Sequence, residues 1–198
     1  MLQGERYFPR LSPAGEQTAG LVGSGPHERT TWARLALLML IQGAQRSIQI
    51  EQAFFVPDPG IVAALARAAR RGVAVEVLLP SEKIDWKIVR RASRHGWGPL
   101  LESGVRIAEY QTEILHCKCL VADELWTMIG STNFDYRSLY RNDETVVLVR
   151  DEAFARHHRE LMETDWHVSE QVTLADWKSR SWHQRWGDRM AALFSRQL

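Results

Sequence analysis

Apolar and polar positions follow two different spacings along the chain, which predict strands interleaved with helices. Short apolar runs rich in β-branched residues predict strands at 19–23, 47–56, 73–79, 105–110, 114–122, 125–129 and 144–149. Helical spacing covers 31–44, 61–71, 85–102 with a break at Gly96–Pro99, and the chain from Asp151 onward. Alternating strands and helices indicate an α/β protein, and the strand-dense region 105–149 indicates a mixed sheet. The predicted fold is a mixed β-sheet flanked by helices on both faces, an α-β-α sandwich.

The first predicted helix follows a segment of different composition. Residues 1–30 are rich in Gly, Pro and Ser and show little periodicity, so we expect a lead-in segment, 1–30, and then a single domain, 31–198. Thr30 or Thr31 is placed to cap the helix. By spacing, the core-facing positions of this helix are Leu35, Leu38 and Met39.

The last predicted helix carries an apolar stripe in which successive members are four residues apart. The stripe consists of Trp182, Trp186, Met190 and Phe194. Such a stripe favours packing onto the domain. Because Arg180, Arg185 and Arg189 lie nearby, the tryptophans also suit a membrane interface.

Composition and charge narrow the range of partners. The chain has 198 residues, of which 45% are hydrophobic and 25% charged, as in an ordinary globular protein. Its net charge of +1 gives no overall field that favours nucleic acid or membrane. Charge is uneven, however, since the stretch 67–94 has eight basic residues against three acidic ones. This stretch suits a phosphate-bearing partner, or it forms solvated helix faces.

The cysteines and the amino-terminal residues indicate the cellular compartment in which we expect the protein. Cys117 and Cys119 are one residue apart, which makes a disulfide between them geometrically poor and favours a reducing compartment. The segment Gly4–Arg10 carries charge and proline where a secretory signal needs an apolar run. The longest apolar run, Leu35–Ile41, is too short to span a bilayer. We therefore expect a soluble or peripheral protein.

The segment with the clearest chemistry has the pattern H-x-K-x4-D-x6-G-S-x-N and begins at His116. On a strand, residues two apart share a face, so we expect His116 and Lys118 to point one way and the two cysteines the other. An imidazole and a fixed cation that meet in this way suit attack on a phosphodiester. The imidazole attacks phosphorus, and the ammonium stabilises the non-bridging oxygens.

Residues after the Lys118 strand extend this predicted site. Ser131 and Asn133, on the turn after the next strand, can add neutral donors, and Gly130 allows a close backbone approach. Asp123 lies where the strand turns, so we expect it to anchor the turn or a neighbouring cation and not to exchange protons.

Two other arrangements of histidines do not predict a functional site. Zinc at His116 and the two thiols conflicts with strand alternation and lacks a fourth ligand at suitable spacing, so we expect no metal and no cofactor. His157 and His158 diverge on a charged helix, which is typical of a solvated face.

The pattern at His116 resembles the HKD motif of the phospholipase D superfamily. The likeness extends over nearly the whole chain, from about Tyr7 to Leu198, and is to the C-terminal half of bacterial cardiolipin synthases. It is carried by FFVPD (54–58), RGVAVEVLLP (71–80), LLESGVRIAEY (100–110) and GSTNFDYRS…NDE (130–144). The resemblance implies a phospholipase-D-like fold and a phosphatidyltransferase of cardiolipin synthesis.

The resemblance also implies a mechanism. The histidine of one motif forms a phosphohistidine, and the histidine of a second motif protonates the leaving alcohol and then deprotonates the incoming one. Water as acceptor gives hydrolysis, and a lipid alcohol gives transfer. Glu144 matches a carboxylate that holds the other nitrogen of the imidazole. The predicted site therefore consists of His116, Lys118, Asp123, Ser131, Asn133 and Glu144.

The chain departs from the family pattern because it contains one motif. His95, the nearest upstream histidine, has no lysine two residues later. A homodimer mate or a missing N-terminal half must therefore supply the second motif. We expect phospholipid at a membrane surface as substrate and a peripheral location on the cytoplasmic side of the bacterial inner membrane. A homodimeric HKD nuclease or general phosphodiesterase is the first alternative, although the net charge makes a nucleic-acid partner unlikely; an inactive partner half-domain is the second.

Overall fold

The computed structural model describes residues 4–7, 9–12, 14–26, 31–84, 86–195 and 197. Within these ranges eight strands form one sheet in the order β1-β7-β6-β5-β2-β3-β4-β8. The strands are β1 Thr18–Ser24, β2 Ser47–Gln52, β3 Ala74–Pro80, β4 Arg106–Tyr110, β5 Lys118–Ala122, β6 Trp126–Gly130, β7 Glu144–Arg150 and β8 Ser169–Val172. The helices are α1 Trp32–Gly43, α2 Pro59–Arg70, α3 Lys87–His95, α4 Trp97–Glu102, α5 Tyr136–Tyr140, α6 Glu152–His167, α7 Leu174–Ser179 and α8 Trp182–Ala192.

Helices cover both faces of this mixed sheet. Strands β2, β3 and β4 are parallel, and the other neighbouring pairs are antiparallel. Helices α1, α2 and α4 bury one face around a core that includes Ile48, Val77 and Leu120. Helix α6 packs on the other face, where Met162 meets Val121. The predicted α/β fold, with a mixed sheet between two helical layers, is confirmed.

Helix α1 turns a different side to the core from the one its spacing suggested. Leu35 and Met39 are 42% and 66% exposed, so their predicted core positions are wrong. The buried positions are Ala33, Ala36, Leu37 and Ile41. Apolar residues surround most of this helix, so periodicity alone did not define one face. The small alanines let α1 pack closely against α2. Thr31 occupies the cap position without a side-chain hydrogen bond, and Thr30 lies outside the described residues.

Three strands differ from their predicted form. The predicted strand 47–56 ends at Gln52, and beyond it Phe55 forms only an isolated bridge with Phe134. The predicted strand 114–122 begins only at Lys118, because the preceding residues leave the sheet. Strand β8 was not predicted; its sequence, SEQV, is too short and polar to show an alternating pattern. At the other edge, β1 lies inside the segment 1–30 and pairs with β7, so part of the predicted lead-in segment completes the sheet.

The C-terminal stripe is exposed, so the prediction that it packs onto the domain is wrong. Trp182 and Trp186 are 65% and 62% exposed. Helix α8 instead contacts α3 through its opposite side, where Asp188 and Ala191 are buried. Asp188 pairs there with the buried guanidinium of Arg180. Among the described residues, no helix is both long and apolar enough to cross a bilayer.

Candidate active site

The predicted chemical residues gather at one end of the sheet, which we call the polar edge. Strand β5 is antiparallel to β2 and β6, and β7 is antiparallel to β6, so β2 and β6 end where β5 and β7 begin. The register places Lys118 opposite Gln52 and Gly130 opposite Val146. Lys118, the turn after Gly130 and the start of β7 are therefore neighbours at this edge.

His116 and Lys118 occupy the point where the chain enters β5. His116 is exposed and lies two residues before the strand. The Lys118 ammonium donates a hydrogen bond to the backbone carbonyl oxygen of His116 at 3.2 Å, which holds the cation against the backbone of that residue. The carbonyl of Cys117 accepts the N–H of Ala53 at 2.8 Å and so ties this segment to the end of β2. Cys117 and Cys119 pack on the α6 side, away from Lys118.

A buried carboxylate lies within electrostatic range of Lys118, but among the described residues it has no hydrogen bond to the His116 imidazole, the contact predicted for it. Glu144, the first residue of β7, accepts a hydrogen bond from the Ser131 hydroxyl, and the Asn142 amide donates to its other oxygen at 3.4 Å. The N–H of Thr145 in turn donates to the Ser131 hydroxyl at 3.0 Å. Ser131 was predicted to donate to phosphate oxygens, but its hydroxyl is directed at Glu144. It therefore orients the carboxylate.

Asn133 follows in the same turn, and its side chain has free bonding capacity. The turn is held against the chain after β2, since the N–H of Phe134 donates to the Phe54 carbonyl at 3.1 Å. Within the described part of the chain, the buried amide oxygen of Asn133 has no hydrogen-bond partner. Asn133 lines a cavity of about 160 Å³ together with Phe54, Trp86 and Asp135. A small group in this cavity would lie against the Asn133 side chain, whose amide N–H₂ is the part that can donate to an anion.

Charges at the polar edge act on one another. Burial lowers the pKa of Lys118, while the negative charges of Cys117, Glu144 and Asp135 oppose that shift. Burial also raises the pKa of Asp135 to about 6, and the nearby charge of Glu144 adds to the effect. Two carboxyl groups therefore lie within electrostatic range of the lysine. Among the described residues no carboxylate lies within ion-pair distance of the Lys118 ammonium, so this cation can still bind an anion.

Two residues at this edge were missed by the sequence analysis. Asp135 caps α5 by accepting the N–H of Ser138 at 2.8 Å; an Asp directly before a helical segment was the available signal. Gln52 lies opposite Lys118 and is 1% exposed, and among the described residues its amide oxygen has no partner. No sequence pattern distinguishes Gln52 from other polar strand residues.

Asp123 lies away from the other five predicted residues. It sits at the far end of β5, roughly 16 Å from Lys118 at the usual rise per strand residue. Its carboxylate accepts the backbone N–H groups of Gln45, Arg46 and Ser47 at 2.7 to 3.0 Å. Burial raises the pKa of Asp123, but these three hydrogen bonds outweigh it and lower the pKa. Asp123 thus fastens the loop between α1 and β2 to the β5–β6 turn, where it adopts a positive φ of 55°.

A second polar cluster, centred on Asp58, anchors the segment that follows Asn133. Asp58 caps α2 by accepting the N–H groups of Gly60 and Ile61 at 2.7 and 3.1 Å. The same carboxylate accepts Arg34 Nε at 2.7 Å and the Tyr140 hydroxyl at 3.0 Å. Since Tyr140 ends α5, this cluster ties the segment after Asn133 to α1 and α2.

The fold and the polar edge together define a class of protein. A mixed sheet with a histidine, a lysine two residues later and a following Gly-Ser-x-Asn turn at one edge is the arrangement of a phospholipase-D-type half-domain. Residues 37–166 match the family described as "Cardiolipin synthase, PLD-like domain". The chain belongs to this family.

Individual relatives agree with the family assignment. The chain is 32% identical over 204 residues to cardiolipin synthase A of Proteus mirabilis, covering 98% of this chain and 42% of that protein. It is 36% identical over 188 residues to cardiolipin synthase A of Pseudomonas entomophila, covering 95% and 39% of the two chains. The chain therefore spans about two fifths of the length of these relatives. In fold it is similar to Nuc, a phospholipase D family member from Salmonella typhimurium, with a TM-score of 0.69 and 24% identity over 80% of this chain and 99% of that one.

Proposed function

We propose that this chain supplies one catalytic half of a phospholipase-D-type phosphatidyltransferase of phospholipid synthesis, with His116 as the nucleophile. The observation that supports the proposal is the placement of Lys118 and Glu144 at one edge of the sheet, with His116 two residues before Lys118 and Asn133 in the adjoining turn. A nucleophile, a cation, an amide and a buried carboxylate are the groups that phosphoryl transfer without a metal requires. The relatives named above are cardiolipin synthases, which supports a phospholipid as the substrate.

In the first step the imidazole of His116 attacks phosphorus. The nitrogen lone pair forms an N–P bond, the P–O bond to the leaving alcohol breaks, and that oxygen takes a proton from the histidine of a second half. Lys118 and Asn133 stabilise the negative charge on the non-bridging oxygens. Glu144 keeps the attacking nitrogen free by accepting a hydrogen bond from the other ring nitrogen.

In the second step the hydroxyl of an acceptor lipid attacks the same phosphorus. Its oxygen forms the new P–O bond, its proton returns to the histidine of the second half, and the N–P bond breaks to free His116. A water molecule in place of the lipid alcohol gives hydrolysis. Both halves are needed for turnover because the leaving and the entering oxygen exchange a proton with the second histidine.

The second half comes from another copy of this chain or from an N-terminal half such as the longer relatives have room for. We place the reaction at the cytoplasmic surface of the bacterial inner membrane. We also propose that residues 31–198 form the catalytic half; β1 of the preceding segment pairs with β7 at the edge of its sheet.

An activated substrate tests the nucleophile without requiring the second half. A p-nitrophenyl phosphodiester of a diacylglycerol loses p-nitrophenolate without prior protonation, so one half is enough for the first step. We expect a burst of one equivalent per chain from an isolated half, and continued release where two copies pair. His116→Ala should abolish the burst, whereas His95→Ala, at an exposed histidine outside the polar edge, should retain it.

Two results would contradict the proposal. Product formation by His116→Ala at the wild-type rate would remove His116 as the nucleophile. Metal-independent cleavage of plasmid DNA, with no reaction on lipid, would move the substrate assignment to nucleic acid.

A further inference from the structure

Helices α3 and α8 together expose an apolar surface, which we call the α3–α8 face. It is formed by Trp86, Ile88, Trp182, Trp186, Met190 and Phe194, which are between 38% and 65% exposed. Adjacent exposed aromatic and aliphatic side chains of this size mark an interaction surface more often than plain solvent contact. The face therefore needs a partner that accepts apolar side chains.

Basic residues surround this apolar surface. Lys87 and Arg91 of α3 and Arg185 and Arg189 of α8 are exposed. Within the described ranges none of these four side chains forms an ion pair with a carboxylate. Tryptophan flanked by unpaired Lys and Arg is the composition that binds the interface of an anionic bilayer.

An apolar groove and a polar pocket adjoin each other along the two helices. The groove, about 480 Å³, lies between Ile88 of α3 and Trp186 and Phe194 of α8. The pocket, about 240 Å³, lies farther along the same pair of helices. Arg91 and Gly187 line both. A guanidinium at the boundary between an apolar groove and a polar pocket matches a molecule that joins an acyl chain to a phosphate.

The α3–α8 face also adjoins the polar edge. Trp86, which precedes α3, lines the same cavity as Asn133 and Gln197. Gln197 is three residues beyond Phe194, so the end of the α8 segment reaches the same place. A membrane on this face would lie next to the cavity that Asn133 lines.

Charge distinguishes this face from another apolar surface of the protein. A larger groove, about 590 Å³, lies at the opposite end of the sheet and is lined by Trp32, Met39 and Trp126. No basic side chain is among the described residues that line it, and Asp123 adds a negative charge. Its described lining therefore offers no cation to anionic lipid, and the neighbouring Arg46 is already bonded to the carbonyl oxygen of Asp123.

We propose that the α3–α8 face docks the protein on an anionic phospholipid bilayer and brings the polar edge against the membrane surface. The proposal rests on the proposed function only in so far as a lipid is the substrate. Docking does not require catalysis. The cations Lys87, Arg91, Arg185 and Arg189 meet lipid phosphates, while the aromatic side chains enter the interface.

Vesicle sedimentation tests the proposal with the chain as it is. Wild-type protein should sediment with phosphatidylglycerol vesicles and much less with phosphatidylcholine vesicles. Trp186→Ala with Phe194→Ala, and separately Lys87→Glu with Arg189→Glu, should each weaken binding to phosphatidylglycerol by at least roughly tenfold. These side chains are exposed, so both variants should fold like the wild type, which circular dichroism can check.

Matched variants elsewhere serve as controls. Trp32→Ala removes a tryptophan that is 48% exposed in the other groove, and Arg67→Glu with Arg70→Glu reverses two exposed cations on α2. Both should bind phosphatidylglycerol vesicles like the wild type. His116→Ala should also bind like the wild type, because it removes the nucleophile and leaves the α3–α8 face intact.

The outcomes separate docking from catalysis. Wild-type vesicle binding by the α3–α8 variants, or loss of binding in Trp32→Ala, would overturn the proposed face. A shift from dimer to monomer in those variants, measured by analytical ultracentrifugation, would assign the face to a second copy and also overturn it. Failure of the His116 burst alongside intact vesicle binding would reject the proposed function and keep the docking surface.

Discussion

Replacement of Asp58 by alanine should destabilise the protein measurably, because a single carboxylate joins three helices. It caps α2, binds Arg34 of α1 through two nitrogens at 2.7 and 3.1 Å, and accepts the Tyr140 hydroxyl of α5. The side chains of Arg34 and Asp58 are only 24% and 14% exposed, so solvent screens this pair weakly. Asp58→Ala removes all of these contacts at once.

The expected magnitude follows from those contacts. Loss of a helix cap costs about 1 kcal/mol. A partly buried guanidinium left without its partner costs about 1–3 kcal/mol more. The sum is roughly 2–4 kcal/mol, which corresponds to a fall in Tm of roughly 4–16 °C for a domain of this size.

Urea denaturation followed by circular dichroism measures this change. Asp58→Asn should lose less than Asp58→Ala, because asparagine still accepts the helix N–H groups. As a control, Glu163→Ala breaks an exposed pair with Arg159 four residues away and should change the unfolding free energy by no more than about 0.5 kcal/mol. Equal stability of Asp58→Ala and the wild type, or equal losses in both Asp58 variants, would refute the reasoning.

The pH dependence provides a second check. Burial raises the pKa of Asp58, but hydrogen bonds from Arg34 and the α2 backbone outweigh it and lower the pKa. A carboxyl whose pKa is lower in the folded protein stabilises it above the unfolded pKa of about 4, and the contribution is lost as pH falls through the folded value. The stability difference between wild type and Asp58→Asn should therefore be full at pH 7 and shrink below about pH 4.

The remaining predictions concern the polar edge. Gly130→Ala places a Cβ on the carbonyl oxygen of Thr145 and should lower the free energy of unfolding by about 1–3 kcal/mol, seen as a lower urea midpoint. Gly43→Ala, where the space around the added Cβ is open, should leave the midpoint unchanged. Equal midpoints for the two variants would contradict this expectation. Asp135→Asn should weaken the pH dependence of inorganic phosphate binding near pH 6, since the wild-type carboxyl is charged and repels phosphate above that pH; identical calorimetric profiles would count against it. Lys118→Met should slow the p-nitrophenolate burst by roughly 10²–10³-fold in stopped-flow traces, and an unchanged rate would remove its role.

The sequence predicted the layers of this fold well because its strands are strongly patterned. Val73–Leu79 is an apolar run interrupted only by Glu76, and it corresponds to β3, which is mostly buried in the parallel part of the sheet. The break near Gly96 separates α3 from α4. Strand β8 could not be predicted, because an edge strand of four residues depends on its pairing with β4 more than on its own pattern.

The sequence predicted which residues form the candidate site better than it predicted the contacts between them. Spacing predicted that His116 and Lys118 lie together, because they are two residues apart where an extended segment enters a strand. Spacing did not show that Ser131 turns to Glu144, since twelve residues, including a helix, lie between them along the chain. The exposure of the α8 stripe was not predictable either, because an amphipathic pattern does not reveal whether its apolar side meets the domain or another surface.

The central claim is that His116 becomes covalently bound to phosphorus. Bis(p-nitrophenyl) phosphate, mixed with the protein in the presence of EDTA and quenched in alkali, should leave a phosphorus adduct on the peptide that contains His116. Mass spectrometry locates the adduct, and His116→Ala should show none. An adduct on a different residue, or an undiminished p-nitrophenolate burst in His116→Ala, would contradict the account.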